Sequence, residues 1–343
     1  MEQTATATEI DVVLQGDALA VLQSLPDESV HCCVTSPPYW GLRDYGVDGQ
    51  LGLEKTPEEY VERLVEVFRE VRRVLRDDGT LWLNLGDSYA NDGKWGGSTG
   101  GKHVAALRGE NGPGRGKRTT GLKPKDLVGI PWRAAFALQA DGWWLRSDII
   151  WAKPNPMPES VKDRTTRSHE YVFHLSKSAR YYYDHEAIKE LSKNPVDDVR
   201  RIEQQHRENK SCPTDMQSGL RPRKTDKQRG HGRRHDGFND RWDQMSREEQ
   251  CSMGRNKRSV WWVATRPYPD AHFAVYPPDL IRPCVLAGCP PDGIVLDPFF
   301  GAGTTGLVAK QEGRHYIGIE LNPGYVEMAE ARIQSECPMD RLI

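Results

Sequence analysis

The pattern of apolar and polar positions along the chain predicts short buried strands separated by helices. Apolar runs at 11–15 and 30–34 are rich in Val, Leu and Cys, which is typical of buried strands. From Thr56 the sequence Thr-Pro-Glu-Glu is typical of a helix start, and apolar residues recur at helical spacing as far as Leu75. We expect Gly79 to close this helix. Further strands are predicted at 80–85, 144–151, 171–175, 294–297 and 316–320, and further helices at 304–312 and 323–335.

This alternation predicts an α/β fold, a Rossmann-like and doubly wound, mostly parallel sheet with helices on both faces. Ligands of such sheets bind at the carboxyl ends of the strands. Residues that directly follow a predicted strand are therefore the first candidates for a functional site.

Composition and charge limit the function classes. The 343 residues include 47 Lys and Arg and 49 Asp and Glu, a net charge of −2, which excludes a uniformly basic nucleic-acid-coating protein. No apolar run reaches the roughly 18 residues of a membrane span, and Met1–Glu9 lacks a signal-peptide pattern. The seven cysteines form no Cys-x-x-Cys pair, so we predict neither disulfides nor a zinc site. We expect a soluble cytoplasmic protein without a metal or a membrane partner.

The charge is unevenly distributed along the chain. Residues 94–125 contain eight Lys and Arg against one acidic residue, and the abundant glycines there predict a mobile loop at 91–121. Residues 186–258 have a net charge of +5, and outside both segments the net charge is −14. Such basic segments either bind a polyanion locally or are solvent-exposed insertions without a binding role. Candidate nucleic-acid contacts are Arg221, Arg223, Lys224, Arg229, Arg233 and Arg234.

A glycine-rich turn follows the predicted strand that ends at Asp297. Gly301, Gly303 and Gly306 fit Gly-x-Gly-x-x-Gly between a strand and a helix, and Glu320 lies at the tip of the next strand. Glycines let the backbone approach a bound nucleoside, and the carboxylate can accept both ribose hydroxyls. The unit comes last in the chain, and Asp297 is expected to attract a cation, which favours S-adenosylmethionine over a pyrophosphate-bearing dinucleotide. Two other interpretations of this turn stay open. One is the nucleotide-binding turn of a dehydrogenase, which is remote, and the other is a tight strand-to-helix turn that binds no ligand.

The predicted strand at 30–34 runs into the segment Ser36-Pro37-Pro38-Tyr39. Its two prolines fix φ and lack N–H donors, so a stiff turn presents carbonyl oxygens and a hydroxyl at a strand end. These acceptors suit an exocyclic amine, whose lone pair is delocalised into the base. If Ser36 Oγ and the Pro37 carbonyl accept its two protons, the lone pair is localised toward an electrophilic methyl group. We expect Tyr39 to stack on a base extruded from the duplex, with a rigid loop and a buried Tyr-Trp pair as the alternative.

Taken together, these motifs make the chain resemble the amino-directed, S-adenosylmethionine-dependent DNA methyltransferases of the permuted, beta-type order. In that family a Ser/Asp/Asn-Pro-Pro-Tyr/Phe motif precedes the target-recognition region, and a Phe-x-Gly-x-Gly motif comes last. Here Ser36–Tyr39, a basic middle and Phe299–Gly303 follow that order. The segment Trp151–Ser160 is similar to one that recurs in cytosine-N4 members.

The resemblance implies a class I methyltransferase fold with circularly permuted motifs. It implies a catalytic half at 10–185, a target-recognition region at 186–258 and a cofactor half at 259–335. Double-stranded DNA and S-adenosyl-L-methionine are the implied substrate and cofactor of a bacterial, archaeal or phage-encoded protein. Whether a companion restriction endonuclease exists, and whether the protein is a monomer or a homodimer, stay open. The implied catalytic residues are Ser36, Pro37, Pro38 and Tyr39, and the implied cofactor-binding residues are Asp17, Asp297, Phe299, Gly301, Gly303, Thr304, Glu320 and Asn322.

The first residue of the catalytic motif bears on the methylated atom. In this family Ser usually accompanies cytosine-N4 methylation and Asp adenine-N6, so Ser36 favours cytosine N4. Adenine N6 stays open, because serine and aspartate can both accept hydrogen bonds from either amine. Cytosine-C5 methylation needs a cysteine nucleophile in a Pro-Cys pair, and Pro283-Cys284 lies away from the strand end that bears Ser36. A cofactor-binding but inactive nucleic-acid-binding module is the alternative of a different class.

Overall fold

The computed structural model describes residues 9–41, 49–90, 121–191, 246, 253–265 and 275–337. Within these ranges the chain forms an eight-stranded sheet and six helices. The strands are β1 (Val12–Gln15), β2 (Val30–Thr35), β3 (Leu75–Leu85), β4 (Trp144–Ala152), β5 (His169–Ser176), β6 (Val260–Trp262), β7 (Ile294–Asp297) and β8 (His315–Glu320). The helices are α1 (Ala18–Ser24), α2 (Pro57–Val74), α3 (Ile130–Ala140), α4 (Pro278–Gly288), α5 (Thr304–Gln311) and α6 (Pro323–Glu336).

The order of the strands places the site. It is β1-β8-β7-β2-β3-β5-β4-β6, and every neighbouring pair is parallel except those of β5 with β3 and β4. From β7 the chain continues to β8 on one side, and from β2 it continues to β3 on the other. The loops after these two adjacent strands therefore diverge, which opens a crevice of the kind where α/β sheets bind ligands. The mostly parallel α/β sheet predicted from the sequence is confirmed.

The helices pack in two groups. Helix α2 contacts α1 and α3, whereas α4 contacts α5, and α5 contacts α6. The first group contributes to the main hydrophobic cluster, in which Tyr60, Leu64, Phe68 and Val71 of α2 are fully buried. Their spacing of three and four residues is the helical period that the sequence showed.

The start of α2 agrees with the sequence, but its end does not. Thr56 Oγ1 accepts a hydrogen bond from the Glu59 N–H at 3.2 Å, and Pro57 lies in the first turn, as the capping motif predicts. The expectation that Gly79 closes the helix is wrong, because α2 ends at Val74 and Gly79 lies within β3. Leu75 already pairs with β2, and the register between the two strands shifts before regular pairing resumes at Thr80. Strand pairing therefore prevails over the local glycine signal.

The other predicted elements are present with shifts of at most two residues at their ends, except that β3 begins at Leu75, five residues before its predicted start. Strand β7 has the predicted bounds, and β8, α5 and α6 differ from the predicted ranges by one residue at one end. No sequence signal predicted α1, α3, α4 or β6. Helix α3 has little polar–apolar contrast and so lacks the periodicity that identified α2, and Pro283 within α4 is a signal against a helix.

The chain divides into two compact units. One comprises residues 1–187 and 258–343 and contains the whole sheet, and the other comprises residues 188–257. In the second unit, Glu190 and Arg255 form an antiparallel bridge and an ion pair of 2.9 Å. Most of residues 186–258 and of the glycine-rich loop at 91–121 lie outside the described residues, so their predicted roles stay predictions.

The described part of the chain contains neither a membrane-spanning helix nor a metal-binding cluster. None of its helices is long and apolar enough to cross a bilayer. No three His, Cys, Asp or Glu side chains in it are grouped so that they could hold a metal ion. The cysteines of this part are all free thiols, namely Cys32, Cys33, Cys284, Cys289 and Cys337.

A buried histidine makes the stability of the sheet depend on pH. His174 on β5 stacks on Trp82 with ring centroids 4.2 Å apart. Its Nε2 is buried and has no hydrogen-bond partner among the described residues. Burial, with a smaller contribution from Arg146, lowers the pKa of His174 to about 3.

We expect His174→Phe to reduce the loss of stability in acid. The unfolded chain takes up a proton at this position near pH 6.5 and the folded chain does not, so the free energy of unfolding falls as the pH falls between about 6.5 and 3. Between pH 7 and 5 the wild type should lose about 2 kcal/mol more than the variant, measured by urea unfolding at each pH. Phenylalanine keeps the aromatic stacking on Trp82. Equal losses for the two proteins would show that His174 titrates normally in the folded state.

Candidate active site

A cleft of about 1190 Å³ lies at the carboxyl ends of the central strands. Its wall includes the Ser36–Tyr39 turn after β2, and the Phe299–Ala302 loop after β7. Asn84 at the end of β3 and Glu320 at the end of β8 complete these walls. The structure thus brings together the two motifs that lie near opposite ends of the sequence.

The carboxylate of Asp297 joins these two motifs beneath the cleft. Its Oδ1 accepts from Thr35 Oγ1 at 2.6 Å and from the Phe299 N–H at 3.0 Å. Its Oδ2 accepts from Thr305 Oγ1 at 2.6 Å and from Tyr276 Oη at 2.9 Å. Burial raises the pKa of Asp297, and the hydrogen bonds oppose that rise. The last residue of β2 is therefore fixed to the last residue of β7.

Asp297 lies at the end of β7 as predicted, but its carboxylate is buried. We expected its carboxylate to attract a cation in the site, but the residue is 1 % exposed and is not part of the cleft wall. Both of its oxygens are occupied by donors of the protein itself. Asp297 connects the ends of two strands, and its predicted contact with the cofactor stays a prediction.

The glycine turn has one open and one crowded position. Gly301 has a φ of +52°, and a Cβ added there would meet nothing within 4 Å, so a ligand can approach the backbone. Gly303 has a φ of +76° and does not line the cleft, since a Cβ there would lie 2.9 Å from Ala329 of α6. Gly303 therefore allows the close packing of this turn against α6, and its predicted contact with the cofactor stays a prediction.

The carboxylate of Glu320 orients the same turn. Its Oε2 accepts from the Gly301 N–H at 2.8 Å, and its Oε1 accepts from the Asn322 N–H at 2.8 Å. Each oxygen keeps lone pairs that could accept a ribose hydroxyl. Burial raises the pKa of Glu320, and the two backbone hydrogen bonds oppose the rise.

The remaining predicted cofactor residues lie on the cleft wall. Phe299, Thr304 and Asn322 line it, and so does Asp17, whose Oδ1 also accepts from the Ala20 N–H at 3.0 Å to cap α1. Arg332, a buried residue of α6, was not predicted as a site residue. Its Nη1 donates to the Ala302 carbonyl at 3.1 Å and to Thr304 Oγ1 at 2.9 Å, and so holds the turn. A charged residue four positions before Glu336 in a helix is an ordinary surface pattern, which is why no sequence signal marks it.

The proline turn presents its acceptors in a fixed arrangement. Tyr60 Oη donates to the Pro38 carbonyl at 2.9 Å. No donor among the described residues contacts the Pro37 carbonyl. Ser36 Oγ donates to Asn84 Oδ1 at 3.3 Å, and Asn84 Nδ2 donates to the Tyr171 carbonyl at 3.0 Å, which fixes the orientation of the amide. The hydroxyl proton of Ser36 therefore points away from its remaining lone pairs, which stay available to a ligand.

The hydroxyl of Tyr39 is held by the carboxylate of Glu170. Its Oη donates to Glu170 Oε2 at 2.8 Å, and Glu170 forms an ion pair with Lys153. A Cβ added to Gly86 would lie 2.5 Å from the Tyr39 ring, so the ring packs against that glycine. Burial and the charge of Glu170 raise the pKa of Tyr39 well above its ordinary value, and the phenol stays neutral.

Asn84 and Glu170 were not predicted as site residues. Asn84 is a buried amide within the apolar run Leu81–Leu85, and a polar residue near the end of a buried strand is a signal that could have identified it. Glu170 lies at the start of an antiparallel strand, and its approach to the cleft depends on the position of β5 in the sheet. The six predicted nucleic-acid contacts, Arg221, Arg223, Lys224, Arg229, Arg233 and Arg234, lie outside the described residues.

Comparisons with known proteins agree on one family. A family model described as DNA methylase (N6_N4_Mtase) matches residues 30–331. The chain is 48 % identical to the type II methyltransferase M.Cfr9I of Citrobacter freundii, over 94 % of this chain and 88 % of that protein. It is 46 % identical to the type II methyltransferase M.SmaI of Serratia marcescens, over 94 % of this chain and 90 % of that protein.

Solved structures share the fold at low sequence identity. The PvuII DNA methyltransferase, described as cytosine-N4-specific, superposes with a TM-score of 0.55 at 18 % identity, covering 96 % of this chain and 92 % of that one. A DNA modification methylase of Thermus thermophilus, solved with S-adenosyl-L-methionine, superposes with a TM-score of 0.53 at 22 % identity, covering 95 % and 94 %. These likenesses support the fold.

We expect Asp297→Asn to weaken binding of S-adenosyl-L-methionine at least about tenfold and to lower the melting temperature. The amide keeps one acceptor oxygen in place of two, so either the Thr305 and Tyr276 hydroxyls must turn their protons away or the Phe299 N–H loses its acceptor, and an unsatisfied buried donor costs about 1–3 kcal/mol. Titration calorimetry and thermal unfolding measure the two effects. Asp292→Asn, an exposed carboxylate on the approach to β7, is the matched control and should change neither. Unchanged affinity in Asp297→Asn would contradict the connecting role of this carboxylate.

Proposed function

The chain belongs to the DNA methylase family whose model matches residues 30–331, and from that premise we propose that it methylates the N4 amine of cytosine at a specific site in double-stranded DNA, with S-adenosyl-L-methionine as methyl donor. Relatives that are 46–48 % identical over 94 % of the chain are named type II methyltransferases. Their names favour a role beside a restriction endonuclease of the same specificity, acting on DNA in the cytoplasm.

The observation that carries the proposal is the position of the Ser36–Tyr39 turn opposite the Gly301 loop in one cleft. An exocyclic amine attacks poorly because its lone pair is delocalised into the base ring. Ser36 Oγ and the Pro37 carbonyl offer two acceptors for the two N–H protons of such an amine. Accepting both protons localises the lone pair on nitrogen and directs it toward the loop after β7.

The residues around the glycine turn suit the methyl donor. When bound, S-adenosyl-L-methionine supplies an electrophilic methyl group on a sulfonium. Glu320 would accept hydrogen bonds from the ribose hydroxyls, and the open space beside Gly301 admits the nucleoside. The Phe299 ring offers an apolar surface, while Asp17 at the cleft wall provides a negative charge for the cationic end.

This arrangement needs positioning more than acid–base catalysis. Displacement at a sulfonium methyl is favoured by alignment and by exclusion of water. Tyr39 and the amide of Asn84 are neutral, and Glu170 is paired with Lys153, so the described residues next to Ser36 offer no unpaired charge to the amine. As the new N–C bond forms, the sulfonium–methyl bond breaks and the nitrogen loses one proton, which passes to solvent; we therefore assign no general base.

Cytosine N4 is favoured over the alternatives by Ser36 and by the state of the cysteines. Ser36 matches the residue that usually accompanies cytosine-N4 activity in this family, and adenine N6 is the second candidate. A C5 mechanism would need a thiolate in the cleft. Cys32 and Cys33 are fully buried, and burial raises the pKa of Cys32 to about 12 and that of Cys33 well above its ordinary value.

Target recognition is proposed for residues 186–258. Their net charge of +5 supports contact with phosphates, and arginines are common readers of guanine in the major groove. The proposed contacts are Arg221, Arg223, Lys224, Arg229, Arg233 and Arg234.

Expression in a host that lacks N4-methylcytosine should introduce this nucleoside into the host DNA. We expect Ser36→Ala to reduce it by about 100-fold or more, since loss of one oriented group at a reacting atom has effects of that size. Nucleoside mass spectrometry measures the product, and sequencing of modified positions gives the target site. Ser29→Ala, at the opposite end of β2, is the control and should leave methylation intact.

The same measurement separates the alternatives. N6-methyladenine in place of N4-methylcytosine would establish the second candidate. Absence of both, with folded protein that binds S-adenosyl-L-methionine in calorimetry, would indicate the inactive nucleic-acid-binding module.

A further inference from the structure

One apolar side chain on the cleft wall is exposed to an unusual degree. Met157 is 78 % exposed, the largest fraction among the large apolar side chains of the described residues. It lies in the connection between β4 and β5 and lines the same cleft as Ser36 and Tyr39. The reaction at those two residues does not use it.

The backbone around Met157 is held firmly. Pro156 and Pro158 flank it and fix their own φ angles. On one side, Asn155 Nδ2 donates to the Thr265 carbonyl at 3.1 Å and Asn155 Oδ1 accepts from the Thr265 N–H at 3.0 Å. These bonds tie the segment to Thr265, three residues after β6, so the side chain is presented to solvent from an anchored backbone.

The far side of Met157 is tied down as well. Glu159 forms an ion pair with Arg164, whose guanidinium lies 4.0 Å from the centre of the Tyr89 ring. Glu159 also accepts from the Arg167 N–H at 3.4 Å. Met157 is therefore exposed although the loop on both sides of it is anchored by hydrogen bonds and an ion pair.

Extrusion of the target base would create a gap in the DNA stack that an apolar side chain can fill. A base that reaches Ser36 from a duplex must leave its stack, and that leaves a gap one base thick between two aromatic faces. Methionine is long, unbranched and polarisable, and apolar side chains that enter base steps are known to stabilise distorted DNA. We propose that Met157 enters the DNA stack at the position that the extruded target nucleotide vacates; this inference rests on the proposed function.

The test compares two duplexes that carry the methylation site mapped in the host. One is fully paired, and the other has an abasic site opposite the target base, which removes most of the cost of extrusion. For Met157→Gly, kcat/KM on the paired duplex should fall about tenfold to hundredfold. On the abasic duplex it should return to within about threefold of the wild type.

Two further variants make the comparison specific. Met157→Leu, which keeps an apolar wedge, should retain most of the activity on the paired duplex. Phe136→Ala removes an apolar side chain that is 56 % exposed on α3 outside the cleft, and it should change neither duplex. Calorimetry with S-adenosyl-L-methionine and a thermal melt report whether Met157→Gly is folded.

The outcomes separate this inference from the proposed function. Unchanged activity of Met157→Gly on the paired duplex overturns the wedge, and so does an equal loss on both duplexes, which would indicate contact with the target base instead. If the wild type methylates neither duplex, the proposed function itself fails. Recovery on the abasic duplex alone supports the wedge.

Discussion

The buried carboxylate of Asp297 is the constraint on which the rest of the site depends. Strands β2 and β7 pair side by side although 262 residues separate Thr35 from Asp297. The hydrogen bond between these two side chains fixes the strand ends from which both motifs leave the sheet. Since Asp297 also accepts from Phe299 and Thr305, the same carboxylate shapes the loop that follows β7. The proline turn and the glycine turn leave adjacent strands, and this carboxylate fixes the position of one turn relative to the other.

Above this connection, the two sides of the cleft differ in chemical character. On the β2 side the acceptors that face a ligand belong to neutral groups, and the nearby charges of Glu170 and Lys153 compensate each other. On the β7 side the carboxylate of Glu320 and the backbone of Gly301 form a surface suited to a nucleoside. Neutral acceptors on one side can take both N–H protons of an amine and so localise its lone pair, while the acidic groups on the other side favour a cationic donor. Orientation of the reactants therefore carries the catalysis proposed here.

Local signals in the sequence were sufficient for part of this account. The capping pattern at Thr56 and the bounds of β7 depend on a few neighbouring residues, and the structure has them as predicted. Gly79 lies in a strand because β3 pairs with β2, and a single glycine in the sequence carries no information about that pairing. The burial of Asp297 could not be predicted, because it depends on contacts with Thr35 and Tyr276, which are distant in sequence. The network of Asn84, Glu170 and Lys153 likewise exists only because β3, β5 and β4 are neighbours in the sheet.

A crystal structure of the protein with S-adenosylhomocysteine tests the central claim most directly. The distance between the sulfur of this ligand and Ser36 Oγ measures whether the two motifs serve one reaction. With an amine nitrogen about 3–3.5 Å from the transferred methyl group and hydrogen-bonded to Ser36, the sulfur should lie within about 8 Å of Oγ. A ligand bound away from the Gly301 turn, or a sulfur directed away from Ser36 with no path for an amine between them, would contradict the account.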